Sequence, residues 1–129
     1  MGYVEGTLEV AAGAYAVLTR RSDEAGYAIS GVNQGDYRRG VSLNNDFDTI
    51  TLSYGETVID VVAYDTSTEG GWPGGMPGHA MVLDTPTLSA AADNDSADHW
   101  CLSADTLGAS GDFGSPGLAS SESCPAAPE

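Results

Sequence analysis

Polar and apolar residues alternate most regularly in Asp48-Thr49-Ile50-Thr51-Leu52-Ser53-Tyr54, the period-two signature of a half-buried β-strand. Gly55-Glu56 follows, the Gly-X pair favoured by a type II′ turn, and then the β-branched residues of 57–64. The pattern predicts a β-hairpin. A two-residue turn sets its register, with Tyr54 opposite Thr57, Leu52 opposite Ile59 and Ile50 opposite Val61, so these pairs are expected to share the core face. On the other face Ser53, Thr51 and Thr49 meet Val58, Asp60 and Val62. Val58, Val62 and Tyr64 imply that this second face is partly covered by the loops that follow.

Shorter strand signals lie at 7–10 and 14–19, separated by the turn-like Ala11-Ala12-Gly13. Periodicity is lost over 20–36, where Gly26, Gly31 and Gly35 interrupt the chain and only Tyr27, Ile29 and Val32 offer anchors; a strand is expected to return near 36–43. Residues 65–78 contain Gly70-Gly71-Trp72-Pro73-Gly74-Gly75-Met76-Pro77-Gly78 and read as a loop. One more strand is predicted at 79–84, then a short helical turn over 85–92 with Thr85 as cap and Pro86 in its first position. From Asp93 the chain is polar, with Trp100, Leu102, Leu107 and Phe113 as isolated anchors, and 120–129 reads as a linker or tail. No internal repeat is visible.

Length and charge narrow this picture. A chain of 129 residues has room for one domain, 1–119 before the tail. Only 23 residues are Leu, Ile, Val or Phe, and sixteen of them precede residue 65, so a marginal core is expected in the first half. No apolar run is long enough to cross a bilayer, which excludes membrane insertion, and Met1-Gly2-Tyr3-Val4-Glu5 has none of the features of a signal peptide. The formal net charge is −15, and residues 41–129 hold fourteen acids and no Lys or Arg. Such a polyanion repels phosphate backbones, so no nucleic-acid binding by the chain itself is expected. Calcium, a basic partner or concentrated salt suits it better; in the last case the acidity is adaptation and says nothing of ligands.

Six segments in order carry a family likeness: Ala14-Tyr15-Ala16-Val17-Leu18-Thr19-Arg20, the stretch 42–52, Val58-Ile59-Asp60-Val61-Val62-Ala63-Tyr64-Asp65, Ala80-Met81-Val82-Leu83-Asp84, Trp100-Cys101, and Gly111-Asp112-Phe113-Gly114-Ser115-Pro116-Gly117. Together they resemble the lamin-tail domain family in its secreted prokaryotic members, over residues 5–119. The resemblance implies an all-β, immunoglobulin-like β-sandwich without an active site. It further implies a non-catalytic binding or structural accessory module of a secreted or cell-surface protein. Its expected partner is a protein or the cell surface, or the N-terminal segment of its own precursor, because the family begins with further strands that this chain lacks. The other reading is a fragment of a secreted hydrolase, of the nuclease or phosphatase class, whose catalytic domain lies elsewhere. Phe47 also departs from the family, which usually has Gly there.

Candidate chemistry is sparse. Cys101 and Cys124 are the only cysteines, in a half poor in apolar residues, and are expected to form a disulfide in an oxidising compartment. His99, Cys101 and Cys124 fall one ligand short of a structural zinc site, and His79 reads as a solvated histidine at a strand edge. Asp93, Asp95 and Asp98 are calcium candidates, although the Gly and Glu of an EF-hand loop are missing and turn formation explains them as simply. Asn44-Asn45-Asp46 with Asp48 forms a similar loop. No Gly-x-Ser-x-Gly elbow, no phosphate-binding Gly-rich loop and no lysine is present, so no enzyme is expected. Trp72 and Met76 could offer an apolar tip to a partner, against the commoner case of a loop aromatic folded back on its sheet.

Overall fold

The computed structural model describes residues 3–4, 8–19, 33–38, 41–84, 90–108 and 111–119. The chain divides into two compact units, Met1–Ser42 with Pro116–Leu118, and Leu43–Ser115 with Ala119–Glu129.

The first unit holds β1 (Tyr3–Val4), β2 (Ala16–Thr19) and β3 (Asn33–Arg38) in the order β1-β3-β2. β3 pairs antiparallel with β1 and parallel with β2, from Ala16 opposite Asn33 to Thr19 opposite Asp36. Residues 8–10, expected as a strand, have no regular structure. The turn at Ala11-Ala12-Gly13, closed by the Ala14 N–H on the Ala11 carbonyl at 2.9 Å, leads straight into β2. β3 begins three residues before the predicted strand and takes in Gly35, because the ladder with β2 overrides a local interruption. The expected anchors Tyr27, Ile29 and Val32 lie outside the described residues, as do Thr85, Pro86 and the tail.

The second unit is built around β4 (Phe47–Tyr54) and β5 (Thr57–Asp65), antiparallel through the turn at Gly55-Glu56, where Gly55 has φ +59°. β6 (Met81–Leu83) pairs antiparallel with β7 (Trp100–Leu102), and β8 (Thr106–Leu107) with β9 (Asp112–Phe113). Two 3-10 turns follow at Ala91–Asp95 and Ala97–His99, whereas most of the helical turn predicted over 85–92 lies outside the described residues. The described chain is thus all-β, in small sheets of two or three strands.

The hairpin register differs from the prediction. Tyr54 opposes Thr57 and Ser53 opposes Val58, but the pairing then shifts at a β-bulge, so that Leu52 opposes Asp60, Ile50 opposes Val62 and Asp48 opposes Tyr64. One extra residue on β5 exchanges its faces beyond the bulge. The predicted core pairs Leu52–Ile59 and Ile50–Val61 are therefore not formed, and all four residues are exposed. What is covered is the face of Asp60, Val62 and Tyr64, with Tyr64 only 8% exposed. The buried residues among those described in this unit are Tyr64, Trp72, Ser103 and Gly114.

Candidate binding surface

Packing at the far end of the hairpin fixes one side of it. Tyr64 donates its hydroxyl hydrogen to the Asn44 carbonyl, and the Asp48 carboxylate beside it accepts the amide N–H groups of Thr49 at 2.8 Å and Asn44 at 3.1 Å. These two bonds hold Asp48 below the ordinary carboxylate range, so it stays ionised. Burial, and secondarily the Asp48 charge, pushes the Tyr64 hydroxyl up. Thr66 continues the stitching through its N–H and hydroxyl to the Asp46 carbonyl, at 2.7 and 3.0 Å. The acidic loop at 44–48 is thus used in closing the hairpin end.

A second set of contacts covers β5. Asn94, in the first 3-10 turn, donates from Nδ2 to Oδ2 of Asp60 at 2.7 Å, while its own carbonyl accepts the Trp100 indole N–H at 2.9 Å. His99 donates from Nδ1 to the Asp93 carbonyl at 2.6 Å. Ring N–H groups of the following segment thereby satisfy carbonyls that a short 3-10 turn leaves open. The sequence pattern did not pair Asn94 with Asp60. Its signal was the lone Asp60 within the apolar run of β5, which needs a polar partner once covered.

The predicted site residues fall into place as follows. Trp72 folds back against Trp100, ring centroids 5.5 Å apart and tilted by 41°, and is only 9% exposed; Met76 stays exposed. His79, expected to be solvated, is half-buried, stacked on Phe113 at 4.1 Å, and donates from Nδ1 to the Ser103 carbonyl at 2.8 Å. Asp93 accepts the Ala90 N–H through its carboxylate at 2.8 Å, and Asp95 and Asp98 are exposed. No group of three His, Cys, Asp or Glu side chains suited to a metal ion occurs among the described residues. Cys101 is half-buried in β7 and is not a free thiol, whereas Cys124 lies outside the described residues.

On the face where Asp60, Val62 and Tyr64 of β5 are covered, the open apolar residues lie on β4. Ile50 is 46% and Leu52 50% exposed, in line with Asp48 on one face of the strand, and no strand pairs with the outer edge of β4 among the described residues. Asp46 precedes this strand and Glu56 sits in the turn at its other end. An apolar strip thus runs beside an edge that no described strand pairs, with acids at both ends. No protein-family model, no curated protein and no solved structure matches the chain. No described helix is long and apolar enough to cross a membrane.

Proposed function

We propose that the chain is a non-catalytic binding or structural accessory module of a secreted or cell-surface protein, with a lamin-tail-like, immunoglobulin-type sandwich as its fold. One observation carries the reading. The longest described hairpin leaves Ile50 and Leu52 half exposed beside an unpaired edge, a form of surface that acts by contact. The strand-rich chain with almost no helix, and the coincidence of β4 and β5 with two of the segments that carry the family likeness, support the fold. The disulfide between Cys101 and Cys124 belongs to the same proposal.

The test is turnover. The purified chain, with and without calcium, is expected to release no nitrophenol from p-nitrophenyl phosphate or its diester. Release that disappears on replacing a carboxylate in the second unit would overturn the reading in favour of a hydrolase.

A further inference from the structure

The partner class follows from the geometry of β4. An extended segment can lengthen a sheet only where backbone groups are free, and the β4–β5 ladder ends at β4 among the described residues. Its side chains would land on the half of the face that is open: Ile50 and Leu52 stand out, whereas Val62 and Asp60 across from them are half-buried. Successive residues of that face are Asp48, Ile50 and Leu52, so an added strand meets an acid, then an apolar residue, then another, at period two.

Charge selects among occupants. A second copy of this chain would bring its own −15, and an anionic lipid surface would meet the same repulsion. A cationic strand is attracted by all of it. Asp48 is already oriented by the Asn44 and Thr49 amides, with the Thr49 N–H taken, so a cation placed there leaves that edge amide satisfied.

We propose that the outer edge of β4 docks an extended cationic strand of another protein, with an arginine or lysine beside Asp48 and apolar residues two and four positions along beside Ile50 and Leu52. This rests on the binding-module reading and names the partner's chemistry.

The probe is a synthetic peptide, Arg-Thr-Val-Thr-Val-Thr-Arg with blocked ends, added to the full isotope-labelled chain and followed by amide NMR. Its controls are a peptide of the same composition without alternation and one with Glu in place of Arg. The alternating peptide is expected to shift amides along Phe47–Tyr54, and to bind about tenfold more weakly to Ile50→Arg and Leu52→Arg variants, which repel the cation and remove the apolar contact. Both positions are half exposed, and unchanged circular dichroism and melting temperature establish that the variants fold. Equal binding of the scrambled peptide, shifts centred elsewhere, no shifts at millimolar peptide, or sedimentation as a dimer through β4 would each overturn the proposal. Failure here with both phosphate substrates untouched removes the docking site alone; turnover removes the reading beneath it.

Discussion

Tyr64 lies directly opposite Asp48 in the β4–β5 ladder, its hydroxyl on the Asn44 carbonyl and the carboxylate on the Asn44 amide. The two groups make stability depend on pH at both extremes. Asp48, and Asp65 through its bonds from the Ser67 hydroxyl and amide, are held below 3.8, so their contribution is present above that value and lost as pH falls through their lowered values. Tyr64 is raised above 10.0, so its contribution is present below pH 10 and lost as pH rises through the raised value. Melting temperatures measured across pH should fall at both ends, and Tyr64→Phe should flatten the alkaline side.

Trp72 joins the Gly-Pro loop to β7 through its contact with Trp100. Trp72→Ala should destabilise by about 3 kcal/mol, since a buried indole is removed from a core with few other members. Denaturant unfolding measures it. A double-mutant cycle with Trp100→Ala should return a coupling of about 1 kcal/mol.

The same loop separates two kinds of glycine. A Cβ on Gly70 would lie 2.3 Å from the Asp65 carbonyl oxygen, so Gly70→Ala must displace backbone and should cost on the order of 2 kcal/mol. Gly71 has φ +72° and open space around it, so Gly71→Ala carries only left-handed strain, about 1 kcal/mol. Thermal unfolding of the pair should rank them in that order.

Hairpin, loop and the strand before Asp84 were legible because each rests on local chemistry: period-two alternation, Gly55 at a turn, and a Gly-Pro run that cannot pair. The bulge was not. Ile50 and Leu52 alternate identically whichever β5 residues oppose them, and what holds the face of Asp60, Val62 and Tyr64 inward is the bond of Tyr64 to Asn44 and of Asp60 to Asn94, 20 and 34 positions away along the chain. Residues 8–10 fail for the converse reason, as β-branched and apolar residues form a strand only where a partner accepts the ladder. Of the candidate site, the acidity was plain in the composition, but its place beside an apolar strip depended on the register.

Cys101 and Cys124 are predicted to be joined. Intact mass of the oxidised protein should be lower than that of the reduced protein by two hydrogens, and reduction should cost about 3 kcal/mol of stability by releasing the loop between them. Two alkylatable thiols on oxidised protein would contradict the pairing.

The exposure of β4 is the claim on which the account turns, and thiol labelling of single-cysteine replacements at Ile50, Leu52 and Val62 tests it most directly, with the parent protein as background. Ile50→Cys and Leu52→Cys should react at rates near those of an unfolded chain, and Val62→Cys far more slowly. Protection of positions 50 and 52 to the level of 62 would show that this strip is core, and that β4 presents no surface to a partner.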